Sequence, residues 1–270
     1  MATTDLRTCR SLLFLPASNP RAIEKARELP ADIVILDLED AVPEGEKDEA
    51  RRLVMAATEQ GGFGDRLVAV RVNQAGTRLF GEDVTAVRHA KVDLVVLAKA
   101  ETVKEVHDAS GLMAKPLLAM IETPRAVIDA AAIAPHCAAL IAGTNDLSAS
   151  LGLPAQKERE GLVYALQRIV LTARAAGIAA FDGVYNRLEA DAGLEAECRQ
   201  GRAWGFDGKS VIHPSQIETA NRLFAPTAVE LDEARRLVAA ATGGAERHEG
   251  RMVEAMHVEQ AHRLIAKARG

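Results

Sequence analysis

Residues 32–40, DIVILDLED, run from uninterrupted apolar side chains (Ile33 to Leu36) straight into three carboxylates, Asp37, Glu39 and Asp40. A short continuous apolar run is how a strand covered on both faces reads, and acids just past its end belong outside a core. The same pattern recurs along the chain. LVAVRV (67–72) ends in Arg71 and is followed by Asn73, DLVVLA (93–98) precedes Lys99, PLLAMI (116–121) precedes Glu122, and AALIAG (138–143) precedes Asp146. With SLLFLP (11–16), GIAAF (177–181) and FDGKSVI (206–212), the β-rich runs number eight. Segments with one apolar helical face lie between them, for example Ala22, Ile23, Ala26 and Leu29, or Leu162, Leu166, Ile169, Val170 and Ala173. Strand and helix therefore alternate, which indicates an α/β chain with a helix-covered parallel sheet. Eight repeats favour closure into a (β/α)8 TIM barrel, with an open doubly wound sheet as the alternative. In a barrel the polar strand ends converge on one mouth, where active sites are built, and this predicts an enzyme.

At 270 residues and 48% hydrophobic content, the chain suits one barrel domain. We assign residues 1–225 to the barrel and 226–270 to a C-terminal helical extension that acts as a lid or subunit contact. Extra helices are expected at 215–224, 229–241 and 252–269, with GGAERHEGR (243–251) as a mobile connection. A formal charge of −5 without any basic stripe argues against nucleic acid, and 3% aromatic content leaves little to stack bases on. The longest apolar stretches, such as AVIDAAAIA, fall short of the roughly 18 residues that span a bilayer, so no membrane partner is expected. MATTDLRTCR lacks the apolar core of a secretory signal, and a cytoplasmic protein is the simplest reading. Cys9, Cys137 and Cys198 are odd in number and widely spaced, which suits free thiols rather than a disulfide framework or a zinc site.

Glu122 and Asp146 follow neighbouring strands and can present two carboxylates to one cation. Mg2+ is commonly held by one or two carboxylates, with water and substrate oxygens completing an octahedron. The competing reading is that each acid caps a helix, Glu122 before TPRAV and Asp146 before a short turn. Arg71 can hold a substrate carboxylate through a planar fork, or form a salt bridge with Asp37, Glu39 or Asp40, or both. The three acids after strand two are too dense to be metal ligands themselves and are expected to orient Arg71, Lys99 or metal-bound water, with Asp37 pointing inward. Lys99 and Lys209 raise a rival Schiff-base mechanism, ranked lower because nothing in the sequence depresses a lysine pKa. His213 can supply a proton or shape a turn, and the turn is the preferred reading. Asn19 and Pro20, in LPASNPR, form a helix start whose amides, with Arg21, can also receive a phosphate.

RSLLFLPASNPR, VILDLEDAVPEGEKDEAR, VRVN, ETPRA, GTNDLSASLG and GFDGKSVIHPSQI occur in this order. Together they resemble the citrate lyase β-subunit-like family of the HpcH/HpaI aldolase superfamily, which includes malyl-CoA and citramalyl-CoA lyases. The resemblance spans nearly the whole chain, and LDLEDAV with the later HPSQI is its most specific part. It implies a TIM barrel, bound Mg2+, a homotrimer or hexamer, and reversible cleavage of a 3-hydroxyacyl thioester into an acyl-CoA and a 2-oxoacid. By matching position it makes Glu122 and Asp146 the metal ligands, with Glu122 also at the substrate. Arg71 becomes the clamp on the oxoacid carboxylate, with Asp37 beside it in the catalytic group. Arg21 and Lys25, just after strand one, are the candidate coenzyme A contacts. Two positions depart from the pattern. Many such lyases offer a catalytic Asp across a subunit boundary from a motif like G-x-M-[IV]-D-x-P, whereas GRMVEAM puts Glu254 there and Met256 in place of Pro. Asn145 stands where relatives often have Glu. The alternatives to a thioester lyase are a metal-dependent aldolase on free 2-oxoacids and a non-catalytic oxoacid-binding subunit.

Overall fold

In the computed structural model, residues 5–154, 159–241, 246–248 and 251–268 are described. Eight parallel strands close into a barrel in sequential order: β1 (Ser11–Pro16), β2 (Ile33–Asp37), β3 (Leu67–Val72), β4 (Leu94–Leu97), β5 (Leu117–Ile121), β6 (Ala139–Ala142), β7 (Ala179–Asp182) and β8 (Gly208–Val211). Pairing of Leu13 with Val211 joins the last strand to the first and removes the open-sheet alternative. Around them run α1 (Pro20–Ala26), α2 (Lys47–Gln60), α3 (Arg78–Val87), α4 (Val103–Met113), α5 (Pro124–Ile133), the short α6 (Thr144–Ser150), α7 (Val163–Ala176), α8 (Ala192–Ala203) and α9 (Ser215–Phe224).

Side-chain parity divides the core into two layers. Leu12, Ile33, Ile35, Ala69, Val96, Leu118, Ile141 and Phe181 fill the inside of the barrel, while Leu13, Val34, Leu36, Val70, Val95 and Leu140 pack outward under the helices. Both layers are apolar, so the strands read as continuous runs rather than alternating ones. Capping fixes where several helices begin. Asn19 accepts from the Ala22 amide at 3.1 Å with Pro20 in the first turn, Thr123 caps α5 ahead of Pro124, and Thr102 with Glu105 makes a reciprocal box on α4. Loss of one such cap costs about 1 kcal/mol.

The strand expectations hold to within two residues, the largest differences being at β7 and β8, where glycine and a turn precede the paired residues. Beyond the barrel, α10 (Ala228–Ala240) and α11 (Ala255–Lys267) pack on each other. The helix expected from 252 begins at Ala255, because β9 (Glu246–His248) and β10 (Arg251–Val253) pair as an antiparallel hairpin. The expected mobile connection is thus partly this hairpin; its remaining residues, 243–245 and 249–250, lie outside the described ones. Helix α11 contacts the turn Leu6–Thr8 ahead of β1, and the Lys267 ammonium donates to the Asp207 carbonyl just ahead of β8. Within this chain the extension therefore lies at the N-terminal end of the barrel, opposite the mouth.

Candidate active site

The C-terminal strand ends surround a cavity of about 410 Å3. Phe14, Pro16, Val184 and Ile212 give it apolar lining, and Asp37, Asp40, Arg71, Glu122 and Asp146 give it charge. Asp37 and Arg71 are register partners on β2 and β3, both inward-facing and both buried. Register therefore makes the pair: Arg71 Nε donates to Asp37 Oδ1 at 2.7 Å and Nη2 to Oδ2 at 2.5 Å. Asp37 also accepts from the amides of Glu39 and Ala41, at 2.9 and 3.2 Å. With four donors on two oxygens it is engaged as an anchor, and its effect on chemistry passes through Arg71. The fork expected to grip substrate is thus half committed, leaving Nη1, which lies 3.2 Å from Glu39 Oε2 and 3.6 Å from Met120 Sδ, with the Phe14 ring 5.4 Å from the guanidinium carbon.

Glu122 is buried at the end of β5, and its Oε1 accepts from the Lys99 amide at 2.6 Å. Burial pushes its carboxyl up to about 7, against the pull of the Lys99 amide and Arg71. It does not cap α5, a role taken by Thr123. Asp146 sits in the first turn of α6, not at its cap, and is partly exposed at the mouth. Gly143 makes their approach feasible: a Cβ there would lie 2.1 Å from Glu122 Cβ and 2.6 Å from Oε2. The cradle, the desolvated carboxyl and the second acid lining the same cavity together fit a hard divalent cation. Among the described residues no three His, Cys, Asp or Glu side chains form a complete cage. Mg2+ is commonly held by one or two carboxylates, with water and substrate completing its shell.

Lys99 reaches across this group. Its Nζ lies 2.5 Å from Glu39 Oε1, 3.6 Å from Asp40 and 3.5 Å from Asp146 Oδ2. Burial works against its charge, but Glu39, Asp40 and Glu122 hold the ammonium above the ordinary lysine range. Burial raises Glu39, opposed by Arg71 and Lys99. A protonated, ion-paired Lys99 is a poor Schiff-base nucleophile. Lys209, the other candidate, faces out of the barrel: fully buried, it donates to Gly183 O at 2.8 Å and Glu197 Oε2 at 2.9 Å. His213 Nδ1 pairs with Ser215 Oγ at 2.9 Å and shapes the turn before α9, as expected.

Arg21 and Lys25 are exposed on α1, after β1. Glu254 is exposed at the start of α11 and is not among the residues lining the mouth of its own barrel. Sequence reading missed Lys47, whose buried ammonium donates to the carbonyls of Leu38 and Glu39 at 2.7 Å and so holds the acidic loop in place. It lies in a charged run with no visible signal. Asn73, at the end of β3, braces the same loop through Leu38 O at 3.1 Å and Asp83 Oδ2 at 2.6 Å rather than facing the cavity.

Known proteins with this architecture agree. Residues 10–214 match the model of the HpcH/HpaI aldolase/citrate lyase family. A (3S)-malyl-CoA thioesterase of Cereibacter sphaeroides (strain KD131 / KCTC 12085) is 41% identical over 269 residues, covering 96% of this chain and 94% of its own. The citrate lyase subunit beta of Escherichia coli (strain K12) is 35% identical over 283 residues, with 97% and 94% covered. The crystal structure of CitE from Mycobacterium tuberculosis in complex with magnesium, acetoacetate and coenzyme A superposes with a TM-score of 0.81 at 32% identity, over 98% of this chain and 100% of that one. The citrate lyase beta subunit of the same organism with oxaloacetate and magnesium gives 0.74 at 33% identity, over 82% and 99%. Closed barrel, paired strand-end acids and near-complete coverage lead to one conclusion: this chain belongs to the HpcH/HpaI aldolase/citrate lyase family.

Proposed function

We propose that the protein is a Mg2+-dependent carbon–carbon lyase that cleaves, or in reverse forms, a 3-hydroxyacyl thioester of the malyl, citramalyl or citryl type, giving an acyl-CoA and a 2-oxoacid. The observation that carries this reading is the pair Glu122 and Asp146 at successive strand ends, facing one cavity beside the Arg71 guanidinium. Magnesium bound there supplies Lewis acidity toward the oxoacid oxygens. Arg71, locked by Asp37, offers Nη1 to the substrate carboxylate, which fixes the scissile bond without a search over rotamers. The apolar lining of Phe14, Pro16, Val184 and Ile212 takes the acyl thioester and limits water. As the bond breaks, a carboxylate of the mouth takes the hydroxyl proton, the hydroxyl becomes a carbonyl, the electron pair of the broken bond moves onto the thioester as an enolate, and an acid returns a proton to carbon. Glu254 of a neighbouring copy is the candidate acid, since it is not among the residues lining its own mouth; this reading requires an oligomer, for which the family resemblance implies a homotrimer or hexamer. Arg21 and Lys25, exposed past β1, are the candidate contacts for the coenzyme A phosphates.

A second reading, hydrolysis of the same thioester, is favoured by the 41% identity to a malyl-CoA thioesterase. Incubation with malyl-, citramalyl- and citryl-CoA separates the two: lyase action releases a 2-oxoacid without free thiol, hydrolysis releases thiol without the oxoacid, and neither product from any of the three points to an oxoacid-binding subunit. Glu122→Ala abolishes turnover on either enzymatic reading, and full activity in EDTA overturns both.

A further inference from the structure

Lys99 is one of two non-glycine residues with positive φ among the described residues, at 49°. A lysine held there costs roughly 1–2 kcal/mol, so the surrounding contacts must fix it. Those contacts reach both candidate metal ligands by separate arms. The main-chain amide holds Glu122 Oε1 at 2.6 Å, and the ammonium lies 3.5 Å from Asp146 Oδ2. Lys99 is also the one cation within ion-pair distance of Asp146 among the described residues. The ammonium is not equally shared. Its short contact is to Glu39 at 2.5 Å, so it can give up the longer one to Asp146 and keep its anchor. A flexible four-carbon stem permits that movement, whereas an arginine fork locked by its partner does not.

From this geometry, and resting on the metal-site reading above, we infer that Lys99 is a built-in competitor for the divalent cation. Its ammonium neutralises Asp146 when no metal is bound and yields to the metal when one arrives. Lys99 thereby sets the affinity of the site, while its amide keeps Glu122 in place in both conditions. A single positive charge a few ångströms from a dication is strongly repulsive even in a screened site, so its removal has a definite sign.

Isothermal titration of Mg2+ at constant ionic strength, on the full chain, tests this. Lys99→Met should tighten binding by about tenfold or more, and Lys99→Arg, which keeps the charge, should stay within about threefold of wild type. Lys99→Gly keeps the amide and relieves the positive φ, so it should also bind more tightly; it serves as the reporter if the methionine variant fails to fold by circular dichroism. A neutral variant that folds and binds Mg2+ no more tightly than wild type, or more weakly, overturns the proposal and makes Lys99 a structural brace. The metal-site reading fails separately, if wild type and Glu122→Ala bind Mg2+ equally or not at all.

Discussion

Two acids end neighbouring parts of the same barrel in opposite electrostatic states. Asp182, the last residue of β7, is fully buried and faces outward, where Arg159 Nη1 donates to it at 2.8 Å and Lys209 Nζ lies 3.4 Å away, with Glu197 completing the group. Burial pushes its carboxyl up, and Lys209 and Arg159 more than reverse that. Glu122, just past β5, faces inward, and burial leaves its carboxyl at about 7. The outer cluster sets two carboxylates against two cations. The mouth sets Asp37, Glu39, Asp40, Glu122 and Asp146 against Arg71 and Lys99. A balanced buried network is complete in itself and serves structure; an acid excess around a cavity, which the buried Lys47 ammonium behind the acidic loop only partly offsets, is met by protonation or by a cation from outside.

That contrast breaks or sharpens by substitution. Asp182→Asn leaves two buried cations short of their carboxylate and should cost about 3–5 kcal/mol in urea denaturation, while Mg2+ affinity stays within about twofold; a tenfold change in metal binding would merge the two clusters into one. Gly143→Ala drives a methyl into Glu122 and should cost about 1–3 kcal/mol, with Mg2+ affinity falling as the carboxylate is displaced. Unchanged affinity by calorimetry would mean that Glu122 is not a ligand. The last test concerns pH. Because the Glu122 carboxyl is raised in the folded chain, the stability it contributes is fully present below its ordinary value of 4.5 and lost as pH rises through about 7. In EDTA, Glu122→Gln should therefore match wild type near pH 4 and exceed it by about 2–3 kcal/mol at pH 8, a gap that Mg2+ added to wild type closes. Parallel stability curves for the two proteins would remove the claim that Glu122 is an uncompensated acid.

Much of the barrel was legible in the sequence because strands covered on both faces cannot hide: each needs a short apolar run, and each run here ends in polar residues. The acid pair was legible for a related reason, since Glu122 directly follows β5 and Asp146 lies in the first helical turn after β6. The extension was less so. A three-residue pairing such as β9 with β10 is too short for a period, and a helical pattern from Met252 absorbed it. Lys47, in a stretch of alternating charge, looks like a solvated face and is instead buried against the backbone of the acidic loop.

By itself the sequence determined that strands and helices alternate, that acids and one arginine cluster at the strand ends, and that Glu122 and Asp146 lie on consecutive units. Only the tertiary structure decided which charges meet. Strand parity turned Lys209 outward to Asp182 and Ser210 toward the mouth, register set Asp37 beside Arg71, and the missing side chain of Gly143 opened a space for Glu122. Local pattern fixes what a residue is and how its backbone runs. Electrostatic balance is a sum over neighbours from distant segments, and that sum exists only once the barrel has closed.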